Sequence, residues 1–176
     1  MKKYIFILTF IIPVFVFTSC TESDDEFFAS TTLTANDLIE VSLTGDEVTV
    51  SSNILRILPQ TTNPFDIFLT STSRKMFFNY TIQKKNSNNV WEYITPSNIV
   101  LLNGENQTGS YISGIAVLDA IDTTYEYESK ITLTTGQYRI SFDPEIVTLN
   151  AQNAVMVTVK TSVTGIPNNM LEFTIN

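Results

Sequence analysis

Apolar and polar side chains alternate with a period of two through most of the chain after Asp37, and this alternation constrains the fold more than any other feature. Successive side chains of a β-strand point to opposite faces of a sheet, so the pattern predicts half-buried strands. β-branched and aromatic residues dominate these runs, as strands favour. The sequence therefore predicts an all-β fold, with strands in segments 39–43, 48–50, 54–58, 65–69, 76–82, 90–94, 99–102, 111–117, 125–133, 138–142, 155–163 and 171–175.

Turn-forming residues separate the predicted strands. Gly45, the Asn-rich segment 86–89, Asn103-Gly104 and Asp143-Pro144 all stand between apolar runs. No segment carries a helical stripe, and 115–122 is long enough only for a short helical turn. With 176 residues, the chain suffices for one domain, which we place at residues 37–176. Many short strands in one domain predict a β-sandwich or a β-barrel.

One local motif favours the sandwich. The segment from Leu133 to Ile140, LTTGQYRI, resembles the corner before a late strand of immunoglobulin-like and fibronectin-like domains. The resemblance implies that Leu133, Gly136 and Tyr138 form a structural corner, with the tyrosine hydroxyl bonded to the backbone. It also implies an immunoglobulin-like antiparallel β-sandwich. The alternative is a lipocalin-like up-and-down β-barrel.

The N-terminus has the pattern of an export signal. Lys2 and Lys3 precede an uncharged apolar run at 4–17, which is too short for a relaxed membrane span and contains Pro13. This pattern predicts that residues 1–19 are a signal peptide. Cys20 follows directly and is the only cysteine of the chain, so it has no disulfide partner within it.

The segment Phe17-Thr18-Ser19-Cys20 resembles a lipobox, although Phe17 and Thr18 stand where Leu and a smaller residue are usual. In lipoproteins of the Bacteroidota the lipobox is similarly variable at these positions. The resemblance implies that Cys20 carries the lipid, palmitate included, that anchors the mature chain to a membrane. A secretory peptide without lipid is the alternative.

An acidic stretch follows the cysteine. Ser23, Asp24, Asp25 and Glu26 resemble the surface-export signal of Bacteroidota lipoproteins. The resemblance implies an outer-membrane protein that faces the cell surface, and the periplasmic face is the alternative. A plain solvated linker is the other interpretation of these acids. On either interpretation, residues 20–36 are expected to be a polar tether.

Charge and composition exclude several functions. Without Lys2 and Lys3 the mature chain has 8 basic and 18 acidic residues, a net charge of −10, which repels nucleic acid. Histidine is absent, so a Ser-His-Asp or Cys-His arrangement is impossible. No glycine-rich phosphate loop is present. The sequence predicts a protein that is not an enzyme and needs no cofactor, with a carboxylate-pair hydrolase as a distant alternative.

Four acids are candidate calcium ligands, namely Asp119, Asp122, Asp143 and Glu145. Because no dense ladder of acids is present, ordinary turn acids are the favoured interpretation and no metal site is predicted. The segment Asp122-Thr123-Thr124 is similar to the motif that is glycosylated on its hydroxyl in exported Bacteroidota proteins. This resemblance implies Thr123 as the modified residue.

Aromatic side chains offer the last functional indication. They either pack in the core or form a platform on which sugar rings stack. We expect a non-catalytic surface module with a binding, adhesive or structural role, whose partner is a glycan or an envelope protein. A carrier of small apolar ligands is the alternative, and it requires an apolar cavity of about 300 Å³ or more. The aromatic residues concerned are Phe77, Phe78, Tyr80, Trp91, Tyr93, Tyr111, Tyr125 and Tyr127.

Overall fold

The structure is a computed structural model that describes residues 29–109, 111–151 and 155–176. Strands dominate these residues. The first eight are β1 (Ala29–Thr34), β2 (Ile39–Thr44), β3 (Glu47–Leu55), β4 (Ile57–Leu58), β5 (Phe65–Asp66), β6 (Lys75–Lys85), β7 (Trp91–Ile94) and β8 (Ile99–Asn103). The others are β9 (Glu105–Thr108), β10 (Ile112–Leu118), β11 (Thr124–Thr132), β12 (Gly136–Phe142), β13 (Glu145–Leu149), β14 (Val155–Lys160) and β15 (Met170–Ile175).

Thirteen of these strands form one sheet, and β4 and β5 form a separate pair. The main path runs β1-β14-β13-β6-β10-β11-β3-β2, and every pairing is antiparallel except that of β1 with β14. The sheet curls into a half-barrel. The prediction of an all-β fold is therefore confirmed.

Strand β6 is the centre of the sheet. Its first half pairs with β10 on one edge and β13 on the other, and its second half pairs with β7 and β12. Its 11 residues alternate strictly in burial up to Ile82. Met76, Phe78, Tyr80 and Ile82 therefore point into the core, while Asn79 and Thr81 point away from it.

The sheet bends where β8 meets β9. These strands are two halves of one run, and Gly104 is the single residue between them. Strand β8 pairs with β11, whereas β9 pairs with β10. Strands β10 and β11 pair directly only at Val117 and Leu118. Beyond that point β10 is paired with β9, and β11 is paired with β8.

Tyrosine side chains fill much of this core. Tyr80, Tyr125, Tyr127 and Tyr138 are among the largest fully buried side chains. The Tyr127 hydroxyl lies 3.1 Å from that of Tyr80, donates to Asn106 Oδ1 at 2.6 Å, and lies 2.8 Å from Ser129 Oγ. Among the described residues, every buried side-chain nitrogen or oxygen has a hydrogen-bond partner. The interior therefore satisfies its polar groups internally.

Strand β1 lies within the segment that the sequence assigned to the tether. Residues 29–34 pair in parallel with 155–160, so the sheet includes them. Leu33 packs against the core, but the run ASTTLT contains no other large apolar side chain. Its alternation is therefore too weak to indicate a strand from the sequence.

The prediction of a strand over 65–69 is wrong beyond its first two residues. After β5 the chain forms a short helix, α1 (Ile67–Ser71). The Asp66 carboxylate caps it by accepting a hydrogen bond from the Leu69 backbone N–H at 2.8 Å. Ile67 and Ser71, four residues apart, are its buried residues. The cap and this spacing favour a helical turn over an extended strand.

The segment around Tyr138 joins a turn to the start of β12. The Tyr138 hydroxyl donates to the carbonyl oxygen of Thr134 at 2.7 Å, and the residue is only 1% exposed. Its ring stacks on Phe173 with the centroids 5.8 Å apart. Leu133 is also buried, and Gly136 is the first residue of β12. The hydroxyl and the ring together tie the turn to two strands.

Candidate binding groove

The candidate site lies on the outer face of the sheet, where β6, β7, β10 and β12 are neighbours. Tyr93 of β7 is 68% exposed, and Tyr111, just before β10, is 53% exposed. Between them is an open cavity of about 350 Å³. We call it the tyrosine groove, and it is lined by Asn79, Tyr80, Thr81, Tyr93, Tyr111, Ser141, Phe142 and Asp143.

The groove continues towards β9 and β10. A second cavity of about 170 Å³ shares Asn79 and Tyr111 with it and is otherwise lined by Phe77, Gln107, Ser113, Ile115 and Leu149. Tyr111 therefore stands between two adjoining cavities. An extended ligand could contact both sides of its ring.

A hydrogen-bond chain holds the polar floor of the groove. Ser113 Oγ donates to Asn79 Oδ1 at 2.7 Å, and Asn79 Nδ2 donates to Asp143 Oδ2 at 3.2 Å. The backbone N–H of Asp143 donates to the Asn79 carbonyl at 3.0 Å. These bonds fix the Asp143 carboxylate at the rim, where it is exposed and can accept further hydrogen bonds.

Two hydroxyls add donors and acceptors. Thr81 and Ser141 are partners in the β6–β12 register and both line the groove. Within the described part of the chain, neither side chain makes a hydrogen bond. Their hydroxyls are therefore available to a polar ligand that replaces water.

Trp91 lies further along the same face, beside the second half of β6. The Arg139 guanidinium lies 4.9 Å from its ring centroid, and the Lys85 ammonium lies 5.5 Å from it. Arg139 Nε also donates to Gln83 Oε1 at 2.8 Å. These contacts hold Trp91 in place, so Tyr93 and Tyr111 are the more accessible aromatic rings of this face.

The structure places the eight candidate aromatic residues in different environments. Phe78, Tyr80, Tyr125 and Tyr127 belong to the core, and each is at most 1% exposed. Burial raises the pKa of the Tyr80, Tyr125 and Tyr127 hydroxyls. Tyr93 and Tyr111 line the groove with exposed rings, whereas Tyr80 also lines it but is 1% exposed. Phe77 lines the adjoining cavity, and Trp91 lies further along the same face. The polar members of the groove were not predicted, although each lies between two buried residues and so occupies an outward position of its strand. These residues are Asn79, Thr81, Ser113 and Ser141.

The candidate calcium ligands do not converge. Asp119 accepts hydrogen bonds from the backbone and hydroxyl of Thr123 at 2.6 and 2.5 Å, which lower the pKa of its carboxyl. Asp122 forms an ion pair with Arg74 at 2.8 Å. Asp143 belongs to the groove, and Glu145 begins β13 on an exposed position. No group of three metal-ligating side chains occurs within residues 29–109, 111–151 and 155–176.

Of the residues predicted to be modified or to direct export, only Thr123 lies within the described part of the chain. Thr123 is exposed, but its hydroxyl donates to Asp119. Cys20, Ser23, Asp24, Asp25 and Glu26 lie outside the described residues. Of the helices within the described part, none has the length and apolar character needed to cross a membrane.

No family model, curated protein or solved structure matches this chain.

Proposed function

We propose that the protein is a membrane-anchored, non-catalytic module that binds a neutral glycan in the tyrosine groove. The observation that carries the proposal is the pairing of two exposed tyrosine rings with a fixed carboxylate in one open cavity. A sugar ring has C–H groups on its faces and hydroxyls around its edge. Aromatic rings contact the former, and Asp143, Thr81 and Ser141 can bond the latter.

The charge of the protein supports a neutral ligand. The Asp143 carboxylate lies at the groove, and the mature chain would carry a net charge of −10. An acidic glycan would meet repulsion from both. A neutral sugar can donate its hydroxyl protons to the carboxylate, and such charge-assisted hydrogen bonds are stronger than neutral ones.

The packing of the interior favours this function over that of an apolar-ligand carrier. A carrier needs an enclosed apolar cavity in the interior of its domain. Here the buried rings of Phe78, Tyr80, Tyr127 and Phe142 contact one another at that place, with centroids 5.3 to 6.1 Å apart. Hydrogen-bonded tyrosine hydroxyls also make this interior partly polar.

We expect Tyr93→Ala and Tyr111→Ala each to weaken glycan binding about tenfold, because loss of a stacked ring costs about 1.5 kcal/mol. The double variant should bind no glycan measurably. An array of neutral oligosaccharides identifies the ligand, and titration calorimetry with that oligosaccharide measures the affinities.

The matched controls separate the ring from the fold. Tyr93→Phe keeps the ring and should retain most of the affinity, and Leu101→Ala removes an exposed side chain of β8 away from the groove. The proposal fails if the wild-type protein binds no neutral oligosaccharide, or if the double Ala variant binds as the wild type does.

The anchor at Cys20 is the second part of the proposal. The lipobox-like segment and the acidic residues after it support an outer-membrane lipoprotein that faces the cell surface. Cys20→Ala should abolish lipid labelling, because the chain has no other cysteine. Metabolic labelling with a palmitate analogue and membrane sedimentation measure this, and Ser19→Ala, which keeps a small residue, is the control. Undiminished labelling of Cys20→Ala would show that the chain is lipidated elsewhere.

A further inference from the structure

One end of the domain exposes four large aliphatic side chains. Leu55 is 50% exposed, Ile57 53%, Leu69 72% and Ile121 77%. They come from the end of β3, from β4, from α1 and from the turn between β10 and β11. We call this set the apolar tip.

Backbone hydrogen bonds hold the segments of the apolar tip together at Arg56. The Arg56 N–H donates to the Thr123 carbonyl at 2.9 Å, and the Arg56 carbonyl accepts from the Ile67 N–H at 2.9 Å. Leu55 and Ile57 flank Arg56 and line a cavity with Asp122 and Thr123. The side chains of the tip therefore project from one connected framework.

Two ion pairs lie near the apolar tip, and the carboxylate of Asp119 in the same turn accepts hydrogen bonds from Thr123. Arg56 pairs with Asp66 at 2.8 Å, and Arg74 pairs with Asp122 at 2.8 Å. Both guanidinium groups also lie over the Phe68 ring, 5.2 and 5.7 Å from its centroid. A surface with paired charges is less costly to move out of bulk water than one with isolated charges.

The described chain begins at the same end as the apolar tip. Ala29 pairs with Val155 at the first position of β14. In the β13–β14 pairing Val147 lies opposite Thr158, so the start of β14 is beside the end of β13. At that end of β13, Leu149 pairs with Lys75, and Lys75 pairs with Val117 on its other side. The apolar tip lies at the same end of the sheet. Leu118 pairs with Tyr125, and the residue before Tyr125, Thr124, pairs with Leu55.

The chain between Cys20 and Ala29 is short. Eight residues separate them, and at about 3.3–3.6 Å per residue they span at most about 30 Å. A domain of this size has a radius of gyration of about 15 Å, so the reach is smaller than its diameter. A lipid on Cys20 would therefore keep the Ala29 end of the domain close to the bilayer.

We propose that the apolar tip rests on the bilayer and inserts its aliphatic side chains among the lipid head groups. This proposal rests on the proposed lipid anchor at Cys20. The anchor holds the tip at a high local concentration over the membrane, so weak apolar contacts suffice to orient the domain. The tyrosine groove is centred four to six residues along β6 from Lys75, which places it about 13–20 Å from this end and leaves it open to solvent.

Tryptophan fluorescence with vesicles tests the orientation. The chain from Cys20 onward is coupled through its single thiol to a maleimide lipid in phosphatidylcholine vesicles, so no cellular processing is needed. Trp91→Phe removes the only native tryptophan. Leu69→Trp and Ile121→Trp then report from the tip, and Val90→Trp reports from the loop at the far end of β6. Val90 is 55% exposed and is thus a matched control.

Lipids brominated on their acyl chains should quench Leu69→Trp and Ile121→Trp at least threefold more strongly than Val90→Trp. Equal quenching at all three positions would overturn the proposed orientation, and stronger quenching at Val90→Trp would reverse it. Thermal unfolding of each variant shows that the fold is retained. Because the lipid is attached chemically, a failure of Cys20 lipidation in cells would refute the anchor without affecting this measurement.

Discussion

Gly104→Ala should destabilise the domain by about 3 kcal/mol or more, because the new methyl group has no space at the bend between β8 and β9. Gly104 has a φ of +81°, a conformation that alanine adopts at a cost. Its Cβ would overlap the carbonyl oxygen of Ile115 and lie 3.0 Å from that of Glu126. Both oxygens belong to the backbone of the sheet, so neither can rotate away. Urea unfolding followed by circular dichroism measures the loss.

Gly45→Ala is the control for the backbone conformation alone. Gly45 has a φ of +63° in the β2–β3 turn, but nothing lies within 4 Å of its Cβ position. We expect a loss of about 1 kcal/mol there, from the left-handed conformation without a clash. If the two variants lose the same stability, the close approach of Gly104 to the Ile115 and Glu126 carbonyl oxygens adds no cost of its own.

The strands that face the core on one side were predictable from the sequence. In β11 and β12 every second side chain is buried, and the alternation of Tyr125, Tyr127 and Ile131 reports this directly. The Asn-rich segment 86–89 was also identified correctly as a hairpin loop, since β6 and β7 pair across it and Asn89 has a φ of 61°. These features depend on neighbours in the chain, which a sequence displays.

Features that depend on distant neighbours were not predictable. The run 99–102 is apolar throughout, yet Val100, Leu101 and Leu102 are 41–55% exposed because β8 pairs only with β11 among the described strands. The groove also depends on residues that are distant from one another in the sequence. Asn79 and Asp143 are 64 residues apart, and only the pairing of β6 with the segment containing β12 and β13 brings them together.

Strand β6 connects the two proposed functional surfaces. Its first residue, Lys75, lies at the end that carries the apolar tip, and its middle residues form the floor of the tyrosine groove. A rigid central strand would transmit the orientation of the tip to the groove. If the tip sets the domain on the membrane, the groove would face sideways, where a polymer lying along the cell surface could reach it.

The domain should lose stability steeply above about pH 10, because three buried tyrosines must ionise when it unfolds. Burial raises the pKa of Tyr80, Tyr125 and Tyr127 above the ordinary value of 10.0. Below pH 10 the hydroxyls are protonated in both states, so they cause no change of stability with pH. Above it the unfolded chain releases protons that the folded domain retains, and the free energy of unfolding falls as pH rises.

Each such tyrosine contributes a slope of about 1.4 kcal/mol per pH unit, and the three together contribute about 4 kcal/mol per unit. Lys130, whose pKa is raised by its hydrogen bond to Glu47, adds a loss of the same sign above its ordinary value of 10.5. Urea midpoints between pH 8 and 12 measure the total slope.

Tyr80→Phe assigns part of this slope to one residue. It removes an ionisable group but leaves Tyr127 bonded to Asn106 and Ser129, so the loss at pH 8 should be only about 1 kcal/mol. Above pH 11 the slope should become shallower by about 1.4 kcal/mol per unit. An identical alkaline slope in Tyr80→Phe and the wild type would mean that the Tyr80 hydroxyl ionises within the folded domain, and hence that water reaches this hydroxyl.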